Sequence, residues 1–275
     1  MLHMPFRLCL RSKCALATFC QKLFYRSRPN ASNITPKFNL PKKSIKVPKH
    51  RKIPLFESHS LELAPKLSKR PAQNFDYFLV IDFEATCDSP SNLAPQEIIE
   101  FPALKVSGKT FEVESTFHSY VRPVINPQLT SFCTELTGII QGMLDSQPVF
   151  KDVFKNFLIW LEKENLLEPG VKFAFATSGD PDLDYLLPVQ CELSRIDVPE
   201  FMKQWINVKR SFCEVSPYTW PDNLTAMVKL CGLEHVGELH SGLDDAMNIA
   251  RVMANLADRG VVFNNNGFVK KTPEE

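Results

Sequence analysis

Asp82 and Glu84 stand two residues apart at the end of an apolar run, Tyr77-Phe78-Leu79-Val80-Ile81. Such a run reads as a buried strand, and side chains at i and i+2 of a strand share a face, so both carboxylates would converge on one spot. Converging acids need a cation, and the hard divalent ions Mg²⁺ and Mn²⁺, which take oxygen ligands, suit the pair. A solvated sheet edge can carry the same Asp-x-Glu, so its meaning depends on acids farther along the chain. Ser178-Gly179-Asp180-Pro181-Asp182 places two further acids where a second buried strand hands over to a helix, the usual position of a site in an open α/β sheet. Glu238-Leu239-His240-Ser241-Gly242-Leu243-Asp244-Asp245-Ala246 sets an imidazole just ahead of two acids that open an apolar-striped helix. A helix cap accounts for any one of these later acids. Spacing alone leaves Asp180 and Asp182, and likewise Asp244 and Asp245, undecided.

The elements that must position these groups follow from hydrophobic period and turn residues. Strands are expected over 77–81, 98–106 and 110–121, the last two joined by the turn Ser107-Gly108-Lys109, as in an antiparallel meander. Helices are expected over 127–140 and 148–165, the second with Ser146 as its N-cap and Pro148 near its start. A buried strand over 172–177, a helix through Leu183, Leu186, Leu187 and Cys191, a fifth strand over 205–212 and helices over 224–230 and 241–257 complete the pattern. Strands first in a meander and then alternating with helices imply an α/β fold, a mixed sheet with helices against it.

Of the 275 residues 44% are apolar, enough for a real core. The net charge of +1 conceals an asymmetry: of 32 Lys and Arg, thirteen fall in residues 1–56, which contain no acid. The rest of the chain therefore sets 19 basic against 31 acidic residues. An acidic domain handling an acidic polymer needs metal ions at its site, whereas a basic segment supplies attraction to phosphates or a targeting signal. Residues 6–26 interleave Arg and Lys with Phe and Leu in the manner of a mitochondrial transit peptide, and 29–54 carry five prolines and a basic cluster from Lys42 to Lys52. The leader is expected to direct the chain to mitochondria and to be removed there, with cytoplasm or nucleus as the alternative. The eight cysteines show no Cys-x-x-Cys, which argues against zinc and against a secreted disulfide framework. No run approaches the roughly 18 apolar residues of a membrane span, so no membrane partner is expected.

Taken together the acids and the histidine resemble the DEDD exonuclease superfamily in its histidine-bearing (DEDDh) branch. Asp82-Phe83-Glu84-Ala85-Thr86 fills its first motif, Asp182-Leu183-Asp184-Tyr185-Leu186 its second, and His240 with Asp245-Ala246 its third; the match favours Asp182 over Asp180 and Asp245 over Asp244. The intervening words Glu97-Ile98-Ile99-Glu100-Phe101-Pro102, Phe132-Cys133-Thr134-Glu135-Leu136-Thr137-Gly138-Ile139, Gln204-Trp205-Ile206-Asn207-Val208-Lys209 and His240-Ser241-Gly242-Leu243-Asp244-Asp245 look like the ERI exoribonuclease family. The likeness covers about residues 75–263, and without a recognisable nucleic-acid-binding segment before it or zinc finger after it is most similar to the compact third branch. Pro181 departs from the aromatic residue that relatives carry before this Asp. The resemblance implies a ribonuclease H-like mixed five-stranded sheet over 75–263, between a basic leader and linker at 1–74 and a flexible tail at 264–275. It implies two Mg²⁺ ions, replaceable by Mn²⁺, held by Asp82, Glu84, Asp182 and Asp245, and His240 as general base with Glu84 orienting the nucleophile. The terminal nucleotide would meet Glu84, Ala85, Leu136, Ile139 and His240. The expected reaction is 3′-to-5′ hydrolysis of single-stranded RNA ends to 5′-mononucleotides; DNA, very short oligonucleotides, or RNA binding by a dead site are the alternatives.

Overall fold

The computed structural model describes residues 63–269, apart from 92 and 218. The leader at 1–56 and the targeting expected of it lie outside these residues. Among the described residues seven strands form one mixed sheet: β1 (Tyr77–Val80), β2 (Glu84–Ala85), β3 (Ile98–Ser107), β4 (Val113–Tyr120), β5 (Phe173–Thr177), β6 (Gln204–Asn207) and β7 (Gly267–Phe268). Five correspond to the expected strands, and the two-residue β2 and β7 are additional. β1 and β2 lie end to end along one edge of β3, and β4 lies along its other edge, all antiparallel. β1 then pairs with β5 and β5 with β6 in parallel, and β7 closes the far edge antiparallel to β6.

The apolar run at residues 77–81 is buried on both sides because helices cover both faces. Phe78 and Val80 enter a core with Phe212, Ile249 and Met253, whereas Leu79 and Ile81 enter the opposite core with Phe101, Phe154 and Phe157. The second core is faced by α3 (Phe150–Lys163), whose Phe150, Val153, Phe154, Phe157, Leu158 and Leu161 recur at helical spacing on its buried side. Each such aromatic contributes about 1.5–3 kcal/mol by leaving water. The first core is faced by α5 (Val208–Val215), α6 (Leu224–Leu230) and the long α7 (Gly242–Asp258).

Several expected boundaries move. The helix expected over 127–140 is two: α1 (Ser131–Thr137), capped by Thr130 Oγ1 accepting from Cys133 N and ending at Gly138 in left-handed conformation, then α2 (Gln141–Leu144). Val149, not Ser146, occupies the N-cap of α3. The strand expected over 205–212 stops at Asn207, whose side chain accepts from Arg210 N and so starts α5; the β-like apolar pattern continues into a helix because the cap redirects the backbone. The helix after β5 begins as a π turn (Asp182–Leu186) and continues as α4 (Leu187–Ser194). Packing also extends past 75–263 on both sides. Arg70 Nε and Nη2 grip Asp258 at 3.0 and 2.6 Å, and 267–268, expected within a tail, are a strand. The five cysteines among the described residues are free thiols. Among the described residues no helix is long and apolar enough to cross a membrane.

Candidate active site

The sheet breaks where the first acids sit. β1 ends at Val80, opposite Leu104, and β2 resumes at Glu84, opposite Glu100, so residues 81–83 leave the β3 ladder in front of Pro102, which has no N–H to offer it. Released from β3, this backbone finds other partners. Ile81 N donates to Ala176 O at 3.0 Å, and Phe83 N donates to Asp182 Oδ1 at 2.8 Å. The first motif thus holds the second by a backbone bond, across 99 residues of sequence. Asp82 and Glu84 do not share the one continuous strand expected: Asp82 lies within an interruption and Glu84 opens the strand that follows it.

The paired acids separate by partner. Asp180 turns outward, accepting from Trp205 Nε1 at 3.0 Å and Arg210 Nη2 at 2.6 Å, whereas Asp182 is buried against Phe83. Asp244 accepts from Glu238 N at 2.9 Å and so shapes the preceding loop. Asp245, in the first turn of α7, accepts from His240 N at 3.1 Å and lies 3.0 Å from His235 Nε2. His240 itself has a left-handed backbone, φ 60°. Ligand atoms of Glu84, His240 and Asp245 lie within 4.8 Å of one another.

Glu100, not singled out in the sequence, belongs to the same neighbourhood. It is 2% exposed and sits opposite Glu84 in the ladder; its Oε2 accepts from Gly242 N at 2.9 Å and its Oε1 lies 2.7 Å from His118 Nε2. The start of α7 therefore docks on β3 through Glu100. A Cβ at Gly242 would lie 2.5 Å from Asp82 O, so glycine permits the helix to cross the first motif this closely. Its sequence signal was the word Glu97-Ile98-Ile99-Glu100, in which an acid interrupts an apolar strand.

So many carboxylates in one place repel. Burial first, then Asp182, Asp245, Glu84 and Glu100, push the Asp82 carboxyl well above the ordinary range. Burial first, then Glu100, Asp245 and Asp182, raise Glu84 to about 9. Burial raises Asp182 to about 6 despite the stabilising bond from Phe83. Such a cluster cannot all ionise without positive charge among its members. Its donors are carboxylates with one imidazole and no thiolate, a set that fits hard divalent ions and not a thiolate-bound zinc.

Beside the acids, α1 is fastened to the first motif: Thr130 Oγ1 donates to Cys87 O at 2.8 Å and Cys133 Sγ to Ala85 O at 3.7 Å. Leu136 is 37% exposed, as is Phe132 one turn before it, which sequence reasoning passed over although the i, i+4 spacing was visible. Ile139 differs from expectation. It is 2% exposed and packs with Ile99, Cys133 and Leu144, so its side chain supports this wall without lining it.

The exonuclease family profile RNase_T matches residues 79–253, a span that includes all four acids and His240. ERI1 exoribonuclease 3 of Homo sapiens is 53% identical over 194 residues, which make up 70% of this chain and 57% of that protein. The chain belongs to the ERI exoribonuclease family. 3'-5' exoribonuclease 1 of Homo sapiens, another ERI-type relative, is 40% identical over 193 residues, 68% of this chain and 54% of its own. This ERI chain thus spans little more than half the length of these relatives. The crystallographic nuclease domain of 3'hExo, a DEDDh family member bound to rAMP, matches it with a TM-score of 0.69 at 37% identity, over 72% of this chain and 100% of that one. The ERI sheet is accordingly ribonuclease H-like, and its DEDDh membership implies divalent metal ions.

Proposed function

We propose that the chain is a Mg²⁺- or Mn²⁺-dependent 3′-to-5′ exoribonuclease that releases 5′-mononucleotides from single-stranded RNA ends. The observation that carries the reading is the gathering of Asp82, Glu84, Asp182 and Asp245 from three segments into one mutually repelling cluster, with His240 at its exposed side. Asp82, Glu84, Asp182 and Asp245 would hold the ions. Bound divalent ions supply the charge that stabilises the attacking and leaving oxygens of a phosphodiester displacement.

His240 takes a proton from the attacking water as its oxygen bonds to phosphorus and the bond from phosphorus to the 3′ oxygen breaks. Ligand atoms of Glu84 and Asp245 lie within 4.8 Å of the imidazole, so the group that takes the proton stands beside the residues that would hold the ions. Phe132 and Leu136 offer apolar side chains on which a terminal base can rest beside Ala85. The relative studied for histone mRNA stem-loop recognition, described as a 3'-exonuclease, is 36% identical with a TM-score of 0.70, covering 74% of this chain and 71% of its own. It supports RNA as the polymer. The test is 5′-labelled RNA, DNA and dinucleotide with Mg²⁺, Mn²⁺ or EDTA. An RNA ladder that requires the metal is expected; a ladder that survives EDTA, faster cleavage of DNA or dinucleotides, or RNA binding without cleavage would each overturn the reading.

The acid-free, Arg-bearing leader supports a mitochondrial destination. Residues 1–56 fused to a fluorescent protein should mark mitochondria, and a cytosolic or nuclear signal rejects that destination.

A further inference from the structure

Asp180 competes with Asp182 in the sequence and is given other partners by the fold. Its backbone oxygen accepts from Leu183 N at 3.2 Å and Asp184 N at 2.9 Å, so it closes the turn that leads into the π segment and surrounds Asp182. Only Pro181 separates the two acids, and its ring fixes the intervening φ, at −55° here, so a rotation of Asp180 is passed on to Asp182. Both carboxylate oxygens of Asp180 are held, one by Trp205 Nε1 of β6 at 3.0 Å and one by Arg210 Nη2 of α5 at 2.6 Å.

These two donors are themselves held from the C-terminal side. Arg210 Nη1 donates to Asn266 O at 2.6 Å, and Asn266 N donates to Trp205 O at 2.9 Å. Gly267 pairs with Trp205 in the β6–β7 ladder so closely that a Cβ there would lie 2.1 Å from Trp205 Nε1. A continuous set of bonds therefore runs from residues 266–267 through Trp205 and Arg210 to Asp180, and by a stiff link to Asp182. An exposed ion pair alone would be worth little. Here the guanidinium forks between two segments, which makes it a geometric device.

We infer that Asp180, Arg210 and the C-terminal strand β7 form a latch that positions Asp182 for the divalent ion. The inference rests on the nuclease reading and assigns these residues no contact with RNA. Partners that orient metal ligands change affinity or activity by about 10- to 100-fold when removed. The test is Mn²⁺ binding to the full chain, followed by loss of the free-ion paramagnetic resonance signal, alongside kcat and KM on labelled RNA. Asp180→Asn, Arg210→Gln and Gly267→Ala should each weaken Mn²⁺ binding and lower kcat by about 10-fold or more, with KM for RNA within about two-fold. Arg210→Lys, which keeps the charge, should recover part of the loss. Lys203→Ala, which removes the exposed pair with Glu200, should change neither. Wild-type Mn²⁺ affinity in a folded Asp180→Asn or Arg210→Gln protein overturns the latch while leaving the nuclease reading intact. A wild type that binds no Mn²⁺ and cuts no RNA overturns both.

Discussion

His240 is held in a left-handed conformation, uncommon outside glycine but one that histidine, asparagine and aspartate enter more often than other residues, with its N–H on Asp245. That bond makes the proposed base and a proposed metal ligand parts of one short loop. Replacing His240 by Ala should lower kcat by about 10² to 10⁴, the usual worth of a general base, while Mn²⁺ still binds. A variant with undiminished turnover would give the proton transfer to another group. Asp82→Asn should abolish turnover and yet raise the melting temperature in EDTA, because an amide spares the cost of burying, and so protonating, a carboxyl that is ionised in the unfolded chain. Each kcal/mol so relieved is worth about 2–4 °C in a domain of this size. A lower melting temperature in EDTA would show that Asp82 is stabilising without metal. At this scale the sequence was readable for Asp82, Glu84 and His240, whose chemistry and spacing stand out. It could not separate Asp180 from Asp182 by spacing, because what distinguishes them is which of Phe83, Trp205 and Arg210 each one meets.

Among the elements, α7 unites the site, since Asp245 lies in its first turn and Gly242 crosses Asp82. Gly242→Ala should push that end away from the first motif and cost about 10²-fold in kcat, the effect of misplacing reacting groups by about 1 Å. Helix content by circular dichroism should stay unchanged; near wild-type kcat would mean that the crossing tolerates a methyl group. Long amphipathic α3 and α7 were plain from apolar period, β5 from an uninterrupted apolar run, and β3 from a run broken by Glu100 and Lys105. Harder to read were the points where one side chain redirects the backbone. Asn207 converts an apparent strand into α5, and Pro102 faces the break that separates β1 from β2. β7 is a Gly-Phe pair after three asparagines, with no apolar alternation to announce it; only the Trp205 edge makes it a strand.

For the whole molecule, the cluster sets a dependence of stability on pH. Unfolded carboxyls release their protons near pH 4, whereas Glu84 holds its proton to about 9 and Asp182 to about 6 in the folded chain. The folded state then binds more protons than the unfolded state across this window, so stability is greatest near the lower end and falls as pH rises through it. Melting temperature in EDTA should drop between about pH 5 and 8, and Mg²⁺ should flatten the slope by supplying the missing charge. A melting temperature that climbs over the same range without metal would contradict this balance.

The parallel pairing of β1 with β5 and the crossing of α7 over Asp82 join segments that leave the ribosome at different times. An unfinished chain displays Asp82 and Glu84 long before Asp182 and Asp245 exist to stand beside them. Under the nuclease reading, a nascent copy is therefore silent until the segments that carry Asp182 and Asp245 have left the ribosome. The capacity to digest RNA begins only once those later segments have folded against Asp82 and Glu84.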